Sequence, residues 1–183
     1  NTRADMLRLM IYPDSDNGDS GRIEFVVCEA KYRKASSTDK LLVDDAFEQV
    51  KTTRELLDQA FCSSDPVPAD RDLWWRALAT AMSQIAKKSS DHKERYPAYR
   101  TLTESPPPLD SVIDGISSGR YTVSEIAGAV FLTNSKQDGG DETDERDGGK
   151  LFRTGRDGLT KIMNSLIDGA LAGEGNIKPH LEG

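Results

Sequence analysis

Histidine and cysteine are almost absent from this 183-residue sequence, which contains two of each. His92 and His180 are too few for a His-rich zinc site, and a Ser-His triad has little to draw on. Cys28 and Cys62 do not make the multi-cysteine pattern of a disulfide framework. A reducing cytoplasm is therefore the predicted location.

Long apolar runs are also missing, since none approaches the roughly 18–20 residues that cross a bilayer as a helix. The sequence shows no secretory signal, and no Gly-x-x-x-x-Gly-Lys-Ser/Thr pattern that would indicate an ATP-binding P-loop. Its first residue is Asn1 rather than Met. We interpret the chain as one domain, or one domain with an appendage, excised from a longer protein.

Positive charge is in deficit, with a formal net charge of −7. This balance counts against a free-standing DNA-binding protein, because affinity for duplex DNA comes mainly from neutralised phosphates. The charge is uneven, however. Basic residues cluster at 31–34 and again at 87–100, whereas much of the acid falls in 138–147. Solvated surface remains an equal interpretation of all three clusters.

The sequence does contain a strong hairpin signal near the start of the chain. Two runs of strand-forming residues, Met6–Tyr12 and Arg22–Lys31, flank a turn rich in Pro, Asp, Asn, Ser and Gly. If opposed positions add up to 34, Leu7 faces Val27 and Asp5 faces Glu29. Because side chains alternate between faces, Asp5, Glu29 and Lys31 share the more apolar face.

Two carboxylates at the edge of an apolar surface are costly to bring together unless positive charge joins them. A divalent metal ion, assisted by Lys31, would supply that charge. The alternative is an ordinary surface ion pair between Glu29 and Lys31, which contributes about 0–1 kcal/mol.

The order of these features resembles the PD-(D/E)xK nuclease superfamily. The features are an Asp, a hairpin, a Glu-x-Lys at the end of the second strand and a following helix that contains a Gln. This superfamily includes restriction endonucleases and RecB-like and Mrr-like nucleases. The usual proline before the Asp is absent here, since Ala4 occupies that position. The residues that carry the resemblance are Asp5, Glu29, Ala30, Lys31 and Gln49.

The resemblance implies an α/β fold, a restriction-endonuclease-like mixed β-sheet flanked by helices, with the first core helix outside this fragment. It also implies a Mg²⁺-dependent DNA endonuclease in which Mn²⁺ substitutes, serving in restriction or phage defence. By analogy, Asp5, Glu29 and the carbonyl of Ala30 would hold the metal. Lys31 would act on the water and the phosphate, and Gln49 would orient the water.

The partners implied are DNA and other domains of the same polypeptide or of a defence complex, such as an ATPase; an oligomer is compatible with this picture. The competing class is a catalytically inactive nuclease-like domain that serves as a protein-protein or DNA-binding scaffold. For Gln49 the competing interpretation is a surface glutamine.

The remaining pattern predicts a core over 1–134 and an appendage over 135–183. Apolar spacing predicts a helix from about Leu42 or Asp44 to Phe61, whose stripe is Val43, Ala46, Phe47, Val50, Leu57 and Phe61. An inserted helix over about 71–88 would bury Leu73, Trp74, Ala77, Leu78, Ala81 and Ile85. Residues 121–132 predict a buried strand with a close backbone approach at Gly128. An acidic flexible loop over 135–149 and a C-terminal helix over 158–172 that packs on the core complete the chain; calcium binding by that loop is a minor alternative.

Overall fold

The computed structural model of the chain describes residues 4–14, 16–33, 40–64, 69–90, 108–134, 142–146 and 149–154. Its strands are β1 (Met6–Pro13), β2 (Gly21–Arg33), β3 (Tyr121–Asn134), β4 (Glu142–Arg146) and β5 (Gly149–Thr154). Its α-helices are α1 (Lys40–Leu57), α2 (Arg71–Ser90) and α3 (Leu109–Ser117), and a π-helical turn, Asp58–Cys62, follows α1.

The strands form one open sheet in the order β1-β2-β3-β5-β4. β3 and β5 are parallel, whereas β4 and β5 are antiparallel, so the sheet is mixed. Helices accompany this sheet, and the predicted α/β class is therefore confirmed. None of the helices in the described part of the chain combines the length and the apolar character that crossing a membrane requires.

At its turn, the hairpin has the predicted pairing of positions. The amide of Asp14 donates to the carbonyl oxygen of Ser20 at 3.0 Å, and positions 14 and 20 add up to 34. The guanidinium of Arg22 lies 4.5 Å from the centre of the Tyr12 ring, as expected for directly opposed positions.

The chain divides into two compact units, and the division runs through β1, β2 and β3. The first unit comprises Asn1–Leu9, Phe25–Leu57 and Ile126–Gly183; the second comprises Met10–Glu24 and Asp58–Glu125. The predicted boundary at 134/135 stays a prediction. The predicted C-terminal helix over 158–172 lies outside the described residues, as do the basic positions 93–100.

The first unit has its core between α1 and the sheet. Four residues of the predicted α1 stripe, Val43, Ala46, Phe47 and Val50, are buried against strands β2, β3 and β5, and Leu57 is half-buried beside them. Phe61, the last residue of the predicted stripe, lies beyond α1 in the π-helical turn and packs on Trp75. The cluster consists of Val27, Val43, Ala46, Phe47, Val50, Val130 and Leu151. This packing fixes which side of α1 faces the sheet.

Two glycines allow α1 to approach the sheet closely. Gly128 of β3 is the register partner of Gly149 of β5. A Cβ atom on Gly128 would lie 2.6 Å from Cγ1 of Val50 and 3.2 Å from Cα of Gly149. Real Cβ atoms essentially never approach other heavy atoms to within 3 Å, so the close approach predicted at Gly128 is confirmed.

We expect Gly128→Ala to lower the free energy of unfolding by about 2 kcal/mol, since an overfilled core costs roughly 1–3 kcal/mol. Val50 is buried and stiff at χ1, so it cannot yield cheaply. Urea denaturation would measure the loss. Adding Val50→Ala removes the contacted methyl group, and the double variant should lose less than the two single changes together. Strict additivity would contradict the proposed clash.

The second unit is organised around Tyr121, which is fully buried. Its hydroxyl group donates to the carbonyl oxygen of Gly18 at 2.7 Å. Burial raises the pKa of this phenol, and Asp14 and Asp19 raise it further. Elsewhere in this unit the rings of Phe61 and Trp75 meet edge to face, with centroids 4.7 Å apart.

The prediction of which side of α2 is buried is wrong. The residues buried on this helix are Trp75 and Ala79, which lie on the opposite side from the predicted stripe. Of the six residues predicted to be buried, Leu78 is half-buried and the other five are exposed: Leu73, Trp74, Ala77, Ala81 and Ile85. Both sides of α2 are rich in apolar residues, so spacing alone did not identify the covered side.

The composition of residues 135–149 predicted a loop, but part of this acidic stretch forms a strand. Its residues 142–146 form β4, which pairs with β5 at the edge of the sheet. In this register Glu142 opposes Arg153 and Glu145 opposes Lys150.

Candidate active site

Glu29 is the one buried charged residue among those the structure describes, with 1% of its surface exposed. It lies on β2 at the same alternation as Phe25 and Val27, which are fully buried. The strand therefore carries the carboxyl group onto the face that α1 covers. A carboxylate in such surroundings is stable only with hydrogen-bond partners and compensating charge.

Both oxygens of Glu29 have partners. Oε1 accepts a hydrogen bond from Nζ of Lys31, two residues further along the same face of β2. Oε2 accepts one from the main-chain amide of Asp5 at 2.8 Å. The buried charge is thus offset by an ammonium group and a backbone dipole, which removes much of its desolvation cost.

Lys31 connects this pair to α1. Its Nζ also donates to Oε1 of Gln49 at 3.1 Å. Gln49 is half-buried, next to the apolar stripe that anchors α1 on the sheet. Three of the residues identified in the sequence, Glu29, Lys31 and Gln49, therefore form one hydrogen-bonded chain.

Asp5 lies beside Glu29, as the predicted pairing of positions 5 and 29 requires. The main chain of Asp5 makes this contact, and the residue itself is exposed. Ala30 is exposed as well, although Cys28, on the same face of β2, is buried. Asp5 thus combines a buried main-chain contact with a carboxylate that water can reach.

Thr53 is a further residue of the site that sequence reasoning missed. Its hydroxyl group donates to the carbonyl oxygen of Gln49 at 2.8 Å and accepts from the amide of Ala4 at 3.0 Å. It thereby ties the residue before Asp5 to the helical turn that carries Gln49. The available signal was its spacing, since residues four apart share one helix face.

Loss of this tie should be measurable. We expect Thr53→Val to lower the free energy of unfolding by about 1 kcal/mol, because the Ala4 amide loses its acceptor. Thr53→Ser retains the hydroxyl group and should lose less. The matched control is Thr52→Val, the same change one position earlier. Equal losses for the two valine variants in urea denaturation would contradict the role given to Thr53.

Cys28 lies on the other face of β2 and is buried. Burial raises the pKa of its thiol to about 11, and the opposing effect of Arg8 is smaller. The protonated thiol is a poor nucleophile at neutral pH. Cys28 is accordingly a core residue and takes no part in the site.

Carboxylate oxygens are the ligands that a hard divalent cation prefers, and the side chains of Glu29 and Asp5 could supply them. Within the described ranges, no group of three or more His, Cys, Asp and Glu residues is placed to hold a metal ion. A cation here would draw on Asp5 and Glu29, with the remaining positions filled by main-chain oxygen and water. Mg²⁺ commonly keeps several waters in this way, so the residues fit it.

No family model matches the chain, and no curated protein and no solved structure matches it. What the site does must therefore follow from its own geometry and chemistry.

Proposed function

We propose that this chain is a Mg²⁺-dependent DNA endonuclease domain with a restriction-endonuclease-like sheet, and that it hydrolyses phosphodiester bonds. One observation supports this above all. A buried carboxylate, an ammonium group and an amide, from Glu29, Lys31 and Gln49, are hydrogen-bonded in series beside Asp5. A structural ion pair alone requires neither the glutamine nor an exposed acid next to it.

Each residue has a distinct role in this proposal. Asp5 and Glu29 would hold the divalent cation, together with the carbonyl of Ala30. When bound, the cation supplies positive charge that makes water more acidic and offsets charge in the transition state. Gln49 would orient the attacking water. The oxygen of that water would form a bond to phosphorus as the bond to the leaving ester oxygen breaks, the water would lose a proton to solvent, and the leaving oxygen would take one up from solvent.

Lys31 would bind the scissile phosphate. An ammonium group has three N–H donors, and Glu29 and Gln49 accept from two of them. One donor therefore remains for a phosphate oxygen. The Lys31 side chain is 23% exposed, so a bound strand could reach it. The net charge of −7 would be offset at the site by the bound cation together with Lys31, because an enzyme needs positive potential where the phosphate binds.

The test is cleavage of supercoiled plasmid by the wild-type chain with Mg²⁺, with Mn²⁺ and with EDTA. We expect nicked and linear products with either metal and none with the chelator. Cleavage should follow the protein peak across a size-exclusion column, which separates it from a contaminating nuclease. Intact plasmid with both metals would contradict the proposal.

The second candidate is a catalytically inactive nuclease-like domain that acts as a scaffold. The exposed apolar side of α2 favours it, since such surfaces commonly bind other macromolecules. Helix α2 and the residues of the site belong to different units, so a scaffold role of α2 would not require a working site.

A further inference from the structure

The main chain that leads to Asp5 is held by side chains from two different elements. The amide of Asp5 donates to Oε2 of Glu29 on β2 at 2.8 Å. The preceding amide, that of Ala4, donates to Oγ1 of Thr53 on α1 at 3.0 Å. Strand β1 begins only at Met6. Two consecutive amides just before the strand are thus bound by side-chain oxygens.

The hydroxyl group of Thr53 has a fixed direction. It donates its one proton to the carbonyl oxygen of Gln49 at 2.8 Å, so its lone pairs are presented to the amide of Ala4. Thr53 is half-buried, and its β-branched side chain has few rotamers to choose from. An acceptor held in this way also holds the amide that it binds.

Apolar packing adds a third contact to the same stretch. The side chain of Ala4 packs against the apolar cluster between α1 and the sheet. Thr53 binds the peptide group that precedes the Cα atom of Ala4, and Glu29 binds the one that follows it. Because peptide groups are planar, holding both of them sets φ and ψ at Ala4. The position of the Cα atom of Asp5 is set with them.

This fixation matters because the side chain that follows is exposed. Asp5 lies in solvent, so the place of its carboxylate depends on the main chain that carries it. Thr53 ties that main chain to the helical turn of Gln49, and Glu29 ties it to β2. Partners that orient the ligands of a metal commonly change its affinity about 10- to 100-fold.

We propose that Thr53 is a positioning residue of the cation site. Its hydroxyl group sets the place of Asp5 relative to Glu29 and Gln49, and it thereby raises the affinity for the divalent cation. This inference rests on the proposed function, because it takes Asp5 and Glu29 as the cation ligands. Thr53 acts through the amide of Ala4 and does not bind the cation itself.

Binding of Mn²⁺ alone tests this role without any cleavage. Electron paramagnetic resonance detects free Mn²⁺, and its signal falls as the ion binds to the full chain. We expect Thr53→Val to raise the Mn²⁺ dissociation constant about tenfold, since valine has the same shape but no acceptor for the Ala4 amide. Thr53→Ser keeps the acceptor and should restore most of the affinity. An unchanged dissociation constant in Thr53→Val would overturn the proposal.

Two controls separate positioning from a loss of stability. Gly128→Ala is expected to destabilise the same unit through its clash with Val50. Thr52→Val makes the same chemical change one position earlier. Both controls should bind Mn²⁺ within about twofold of the wild type, because neither alters the amide of Ala4. Equal weakening by Gly128→Ala and Thr53→Val would mean that Thr53 acts through stability alone, and would overturn the proposal.

Asp5→Asn separates this inference from the proposed function. If the wild type binds no Mn²⁺, or binds it equally after Asp5→Asn, the cation site is wrong and the role of Thr53 is wrong with it. If Asp5→Asn weakens binding but Thr53→Val does not, the cation site stands and only the role of Thr53 is overturned. Weaker binding in both variants, with recovery in Thr53→Ser, supports both.

Discussion

Asp5→Asn is expected to reduce Mg²⁺-dependent plasmid cleavage at least about 100-fold and to leave the free energy of unfolding within about 0.5 kcal/mol of wild type. The two effects separate because Asp5 contacts Glu29 through its main-chain amide, which asparagine retains. The residue is otherwise exposed. The change removes a negative charge from the proposed cation site and leaves packing intact.

Initial rates of plasmid nicking, measured over a range of Mg²⁺ concentrations, would show the loss, and urea denaturation would show the unchanged stability. Asp45→Asn is the matched control, since Asp45 is an exposed acid on α1 and loses the same charge. Full cleavage by Asp5→Asn would mean that the cation is held without this carboxylate. Destabilisation by more than 1 kcal/mol would mean that Asp5 is structural.

The hairpin, its register and the buried side of α1 were predictable because each depends on local periodicity. Alternation along β2 places Glu29 and Lys31 on one face together with Val27, and helical spacing places Gln49 next to the stripe of α1. Given those two patterns, the packing of α1 on the sheet brings the three side chains together. The sequence did not reveal how deeply Glu29 is buried.

The failures have a common physical cause, which is competition between long-range contacts. On α2, Trp75, Ala79 and half-buried Leu78 form a second apolar side, and the chain covers this side instead of the predicted one. The composition of residues 142–146 is typical of loop, yet pairing with β5 forms a strand there. Thr53 was missed because nothing local indicates that its hydroxyl group meets the amide of Ala4, 49 positions away.

The second large effect should come from Lys31→Met, which we expect to lower the free energy of unfolding by about 3 kcal/mol. Methionine has a similar length but no charge, so the buried carboxylate of Glu29 would lose its ammonium partner. One partner of a buried ion pair is expensive to remove because the other remains desolvated and uncompensated. Removal of both partners avoids that cost. Adding Glu29→Leu to Lys31→Met should therefore restore most of the lost stability.

Urea denaturation of the wild type, the two single variants and the double variant gives the coupling energy directly. Glu29→Gln is a further variant, since it removes the charge and keeps one of the two oxygens that accept from Lys31 and from the amide of Asp5. If Lys31→Met alone is neutral, the ammonium group of Lys31 is not what compensates the buried carboxylate of Glu29, and the expected coupling is wrong. If the double variant is as stable as the wild type but cleaves no DNA, the pair is retained for its chemistry and not for folding.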